Sequence, residues 1–279
     1  MKELIAKILN VLGLKLILFR IARRVKVTYA FYVTILFKPI LIKQSINYKS
    51  IPIIIISFNQ LYYLKQLVTF LQKHKYTKIV IIDNNSTYKP LLDYFESIGS
   101  SVTLHKLKDN HGHLVFWKSK ELYDEYSKGY YIVTDADIVP DPDCPSDFVR
   151  YFKKILDRNQ KITKVGFSLK IDDIPETNPN KQKVINWESQ FWKNKNRKGC
   201  YLAAIDTTFA LYKPNYEYNE QSFLRAIRTE KPYQARHGGW YLDTKNLTEE
   251  QMFYFATCNE SSAWRVDKLG NLKNIGLIN

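Results

Sequence analysis

YYIVTDADIVP, residues 130–140, opens with a run of apolar and aromatic side chains from Tyr130 to Val133 and closes on two aspartates with one residue between them. Two carboxylates this close repel, and burial raises that cost unless a cation or hydrogen-bond donors compensate. The stretch reads as one of two things. Either a strand surfaces here in a polar turn punctuated by Pro140 and Pro142, or the aspartates hold a divalent metal.

The neighbouring sequence shows what kind of strand this is. IPIIIISF (51–58) is a continuous β-branched run of the sort a strand buried on both faces requires. NQLYYLKQLVTFLQKH follows, with Leu61, Leu64, Leu67, Val68 and Leu71 at helical spacing. The cycle repeats through strand KIVIID (78–83), helix PLLDYFESI (90–98), strand SVTLHKL (101–107), helix LVFWKSKELYDEYS (114–127) and strand YYIVTD (130–135). Strands alternating with helices imply βαβ units, a parallel sheet and right-handed crossovers, so the expected class is α/β.

Ligands of such sheets bind where the carboxyl ends of the strands emerge. Those ends read Ser57-Phe58-Asn59, Asp83-Asn84-Asn85-Ser86, Asp109-Asn110-His111-Gly112 and Asp135-Ala136-Asp137. One polar end is ordinary turn chemistry; four along one edge point to a shared crevice. Neither GxGxxG nor GxxxxGK[ST] occurs, so a dinucleotide fold or P-loop loses its main support. A phosphorylated ligand here calls for a metal ion, and paired aspartates suit Mg²⁺ or Mn²⁺, which complete their shell with phosphates and water.

Composition sets the outer bounds. A chain of 279 residues, 45% hydrophobic, can bury one large domain. Cys144, Cys200 and Cys258 are scattered without CxxC spacing, which argues against a disulfide framework or zinc site and suits a reducing compartment. Of the net charge of +15, residues 1–50 carry +9, from ten Lys/Arg against Glu3 alone. There the basic residues alternate with Leu, Ile, Phe and Val, as in a cationic amphipathic helix lying on an anionic membrane surface, with packing on protein as the other reading. The longest charge-free stretch, VTYAFYVTILF (27–37), is too short to span a bilayer. Lys15, Arg20, Arg23 and Arg24 break the apolar run, so it does not read as a signal peptide. A nucleic-acid partner is not expected, because the aromatics of the main domain lack surrounding basic residues.

In order, PIIIISFN, IIDNNST, DNHG and VTDADIV resemble the family 2-type glycosyltransferases of the GT-A fold, over about residues 51–258. The resemblance implies a Rossmann-like, mostly parallel sheet flanked by helices. Residues 51–143 would bind a nucleotide-sugar and 144–279 the acceptor, with residues 1–50 as the basic arm. It further implies that Ser57, Phe58, Asn59, Asp83, Asn110 and Asp135 line the nucleotide pocket, that Asp83 reads the base, and that Asp137 with Asp135 binds Mn²⁺ or Mg²⁺. An acceptor-only carboxylate at Asp83 can take an N–H from a base edge such as uracil's, so a UDP-sugar is the first expectation.

The second half is less regular. KVGFSLKID (164–172) predicts a strand, NKQKVINWESQFWKNK (180–195) a helix carrying Trp187 and Trp192, and YLAAIDTTFALYKP (201–214) a strand pair or hairpin. Asp206 follows AAI as the earlier aspartates follow their strands, and it stands as an acceptor contact and third choice of base. Thr248-Glu249-Glu250-Gln251 reads as a capped helix start. The resemblance places the general base at such a start, hence Glu250, then Glu249. His237, beside Gly238-Gly239 and Trp240, either joins the metal shell or serves as a structural hydrogen-bonder; in many relatives the metal histidine follows the acid pair, whereas His237 precedes it. Trp187 and Trp240 are candidate acceptor-stacking residues or core.

The expected activity is metal-dependent inverting transfer of a sugar to a glycan or lipid-linked acceptor, in cell-surface polysaccharide assembly on the inner face of the cell membrane. The alternatives are a catalytically silent GT-A-like glycan-binding or scaffold protein, and, further off, a DxD phosphatase.

Overall fold

The computed structural model describes residues 38–196, 199–259 and 266–267, with residues 3, 14, 17–22 and 25. The chain divides into two compact units, Met1–Ile46 and Asn47–Asn279. In the first, α1 (Pro39–Ile46) follows a helical stretch at 17–22 whose Ile17, Leu18, Phe19 and Ile21 are exposed. Most of the basic arm lies outside the described residues. None of the described helices is long and apolar enough to cross a membrane.

The second unit holds an eight-stranded sheet in the order β3-β2-β1-β4-β9-β6-β10-β8. Its first strands are β1 (Ile53–Ser57), β2 (Ile79–Asp83), β3 (Thr103–Lys106) and β4 (Tyr131–Asp135), all parallel and joined by helical crossovers. Every residue of β1 and β2 is buried, which is why the isoleucine run shows no alternation. Helix α2 (Tyr62–Lys73) buries Leu64, Leu67, Val68 and Leu71, the stripe its spacing predicts. Helix α3 (Lys89–Ser97) covers the next crossover. The α/β class with a mostly parallel central sheet flanked by helices is therefore the architecture observed.

Three expectations need correction. The helix expected over 114–127 is two, α4 (Val115–Lys118) and α5 (Lys120–Tyr126), because Ser119 leaves helical geometry and its hydroxyl caps the amide of Leu122. Past β5 (Ile138–Pro140) and α6 (Phe148–Arg158), the single strand expected at 164–172 is also two. β6 (Lys164–Gly166) joins the main sheet, while β7 (Ser168–Leu169) joins a three-stranded sheet ordered β5-β11-β7. Finally, 201–214 is no hairpin: β8 (Tyr201–Leu202) pairs with β10 (Ala226–Arg228), and β9 (Ala210–Tyr212) inserts between β4 and β6. The helix expected at 180–195 is α7 (Lys181–Ser189) with a 3₁₀ turn at Gln190–Trp192. Two short helices and β11 (Gln234–His237) follow among the described residues of the unit: α8 (Glu220–Phe223) and α9 (Glu249–Thr257).

Candidate functional site

From β1 the chain proceeds to β2 and β3 on one side, while β4 lies on the other. That reversal opens a crevice at the carboxyl ends of β1 and β4, where open α/β sheets take ligands. A cleft of about 1340 Å³ occupies it, with Ile56, Phe58, Asp135 and Asp137 on its wall.

Sequence alone could not say how His237 relates to the paired aspartates, a hundred positions earlier. The small sheet decides it. β5 leaves the aspartates directly and pairs antiparallel with β11 in a register that sets Ile138 opposite His237. The imidazole Nδ1 then lies 3.3 Å from Asp137 Oδ2. The Gly238 N–H donates to the Asp137 carbonyl at 2.7 Å, and the Gly239 N–H to Asp137 Oδ2 at 3.2 Å. Trp240, 1% exposed, stacks on the imidazole with ring centres 4.9 Å apart and sets its plane.

Gly238 is required by close approach: a Cβ there would sit 2.4 Å from the ring of Tyr63. Tyr63 was not singled out from sequence, where it is one aromatic among many on α2. Burial, then the Asp137 carboxylate, push its hydroxyl well above the usual tyrosine range.

Asp135 lies deeper. Burial and the neighbouring Asp137 push its carboxyl up to about 8, and the Thr207 hydroxyl donates to its Oδ2 at 2.8 Å. Thr207 is a second residue that sequence did not mark. Asp206, beside it, is exposed on the cleft wall. Its backbone carbonyl is held at 2.8 Å by Lys164 Nζ, the amine of a lysine with no exposed surface.

The opposite wall carries α9. Thr248 caps it in a full capping box with Gln251, so the expected helix start is present. Both carboxylate oxygens of Glu250 accept from the Tyr62 N–H at 3.1 Å. Burial raises the Glu250 carboxyl above the ordinary range against the opposing pull of the Tyr62 and Leu61 amides. Glu249, one residue earlier, is exposed on the wall.

Of the expected nucleotide contacts, Phe58, Asn110 and Asp135 reach the wall. Ser57, Asn59 and Asp83 lie beneath it. Ser57 has no exposed surface, and its hydroxyl has no hydrogen-bond partner among the described residues. Asn59, at the φ of +49° that asparagine tolerates, accepts with its side-chain oxygen from the amides of Thr87 and Tyr88 in the loop after β2. Asp83, 3% exposed, accepts from the Ser86 N–H at 3.1 Å.

At the far end Trp187 is half-buried on the wall beside Glu188. Glu188 pairs inside the protein with Arg228, whose Nε also holds the Ala204 carbonyl at 2.7 Å.

Among the described residues no three His, Cys, Asp or Glu side chains converge as a metal cage. The expected trio of Asp135, Asp137 and His237 is thus not a closed site; Asp137 and His237 alone are in contact. One hard carboxylate and one borderline imidazole, with the rest of the shell open, fit Mn²⁺ better than Mg²⁺, the other ligands coming from phosphate and water.

No family model matches the chain, and no curated protein does. Among solved structures, the mannosyltransferase PcManGT from Pyrobaculum calidifontis, in complex with GDP-Man and Mn²⁺, is 11% identical with a TM-score of 0.43, over 74% of this chain and 60% of that one. TarS 1–349 from S. aureus is 11% identical with a TM-score of 0.42, over 67% and 60%. Glucosyl-3-phosphoglycerate synthase from Mycobacterium tuberculosis, in complex with phosphoglyceric acid, is 12% identical with a TM-score of 0.34, over 58% and 56%. The chain spans about 60% of the length of the first two. At these scores the likenesses carry no argument about activity.

Proposed function

We propose that this chain is a metal-dependent inverting glycosyltransferase that moves a sugar from a nucleotide-diphosphate donor, first a UDP-sugar, to a glycan or lipid-linked acceptor in cell-surface polysaccharide assembly. The observation that carries the reading is the contact of Asp137 with His237 in a large cleft at the switch point of the sheet. Residues 51–143 form the donor half and 144–279 the acceptor half.

Asp137 and His237 would hold Mn²⁺ or Mg²⁺, which when bound would offset negative charge on the departing diphosphate. The Gly239 N–H keeps the Asp137 carboxylate turned toward the imidazole. Glu250 is the favoured base. Its oxygens are fixed by the Tyr62 amide, and its raised pKa brings it nearer to working pH, where a carboxylate removes a hydroxyl proton most effectively. Asp206 and Trp187 belong to the acceptor end.

Calorimetric titration of UDP with and without Mn²⁺ tests the reading, in the native protein and in Asp137→Ala. Metal-dependent binding that the substitution abolishes supports it. If UDP, GDP, CDP and dTDP all leave the protein unbound, it falls.

The exposed Ile17, Leu18, Phe19 and Ile21 on a helical, basic stretch support membrane association of residues 1–50. Deleting residues 1–45 should release the protein from anionic liposomes and leave nucleotide binding intact. Binding that survives the deletion refutes the membrane role.

A further inference from the structure

The charge of this protein is segregated against its net sign. The chain has 42 Lys/Arg and 27 Asp/Glu. Yet the described cleft wall carries eight carboxylates: the five already placed there (Asp135, Asp137, Asp206, Glu249, Glu250) and Glu188, Glu220 and Asp243. Of the lysines and arginines, Arg228 alone is among the described lining residues. Its charge is not on offer, because the side chain is 5% exposed and pairs with Glu188.

The cleft is a binding site on its volume, its place at the switch point and its aromatic walls; the charge specifies what can enter. Five of the eight carboxylates lie away from the two aspartates and outside the Arg228 pair. The Asn246 amide and the Lys245 N–H hold Asp243 below the usual carboxylate range, so it stays ionised. A concave wall focuses such a field, and an anion entering it away from Asp137 and His237, where no metal ion would offset its charge, loses water without gaining a partner.

On the reading of this cleft as a glycosyltransferase site, we infer that the acceptor is a glycan whose reacting end carries no acidic group: a neutral or amine-bearing chain, not a uronate- or phosphate-bearing one. Trp187 and Tyr218 would give its rings flat apolar faces, and the carboxylates would accept from its hydroxyls. If the acceptor is lipid-linked, the phosphate of its carrier stays outside the cleft.

Three matched tetrasaccharides test this by calorimetry: tetra-N-acetylglucosamine (neutral), tetraglucosamine (cationic) and tetragalacturonate (anionic). Each is titrated into the full chain, with and without UDP and Mn²⁺. The expected order is cationic, neutral, anionic, with at least about tenfold between the last two at roughly 50 mM salt, narrowing at roughly 500 mM as the field is screened. Glu220→Gln with Asp243→Asn should narrow the gap about threefold or more, with thermal melting as the check on folding. An anionic tetramer that binds as well as the neutral one overturns the inference. So does failure of both the neutral and the cationic tetramer to bind. Because the nucleotide-free arm needs no donor, loss of UDP binding sinks the functional reading separately from the charge preference.

Discussion

Replacing Gly238 by alanine tests the packing that orients the Asp137 carboxylate. The backbone of Gly238 is not in the left-handed region. With open space around it, Gly→Ala would stabilise the fold by about 0.4–1 kcal/mol through the unfolded chain. Space is what is missing. The new methyl would lie 2.4 Å from two carbons of the Tyr63 ring and 2.8 Å from a third. Carbon atoms rest at roughly 3.5–4.0 Å, so ring or backbone must yield by more than about 1 Å. Overpacking of that kind costs about 1–3 kcal/mol, and the expected sign is destabilising. The backbone shift also moves the Gly238 and Gly239 amides off Asp137, so Mn²⁺-dependent nucleotide binding should weaken together with stability. Urea denaturation measures the first effect and calorimetry the second. Tyr63→Leu in the same chain removes the ring that clashes, and against that background Gly238→Ala should cost about 1 kcal/mol less than in the native protein. A Gly238→Ala protein as stable as the native one, or a cost untouched by Tyr63→Leu, refutes the reasoning.

Arg228→Met leaves Glu188 buried without its cation and should cost roughly 3–5 kcal/mol in urea unfolding, while Glu188→Leu with Arg228→Met recovers most of it. Equal losses in the single and double variants would show that the pair is not the unit that matters. Asp135, pushed up to about 8, must lose its proton before its charge can favour a cation, so Mn²⁺ affinity should climb with pH, up to about tenfold per unit, and level off above about 8. A flat Mn²⁺ titration between about pH 6 and 9 contradicts that sign. Burial lowers the Lys164 amine well below the ordinary lysine range, so the unfolded chain binds more protons and native stability should fall as pH drops from about 10.5, by about 1.4 kcal/mol per unit. Lys164→Met should lose that slope; parallel stability–pH curves for the two proteins would mean the amine stays charged in the fold.

What could be read from sequence was the part encoded locally. A strand buried on both faces needs an unbroken β-branched run, and the run at 53–57 is β1. The helix-capping signal at Thr248 needs four adjacent residues, and all four are in place. The errors came where a local pattern has two tertiary outcomes. KVGFSL reads as one extended segment, yet Gly166 ends the main-sheet pairing and Ser168 begins pairing in the second sheet. Likewise β8 and β9 are close in sequence but each finds a better partner elsewhere, so no hairpin forms. The site shows the same division. Asp135 and Asp137 announce themselves by spacing, and His237 by its glycines. Tyr63, Thr207 and Lys164 carry no local mark, because their roles depend on residues 175, 72 and 42 positions away.

The acidity of the cleft was hidden for the same reason, and the case shows why net charge is a poor guide to a ligand. Glu188 is flanked in sequence by Lys181, Lys183, Lys193 and Lys195, and Asp243 sits two residues from Lys245. The stretch 181–195 sums to +3 and the stretch 243–245 to zero. Folding separates what these sums combine: α7 turns Glu188 inward at 1% exposure, while Lys183 and Lys193 on the same segment are exposed. Lysine tolerates solvent at little cost, whereas a carboxylate is brought inward only where a partner or a ligand compensates it. Glu188 has that partner in Arg228, whereas Asp206, Glu220 and Glu249 stay exposed on the cleft wall, so the sign of the wall is set by residues that the total of +15 does not reveal. The basic surplus belongs to the surface and to the N-terminal arm, and the proposed acceptor would meet a wall of the opposite sign.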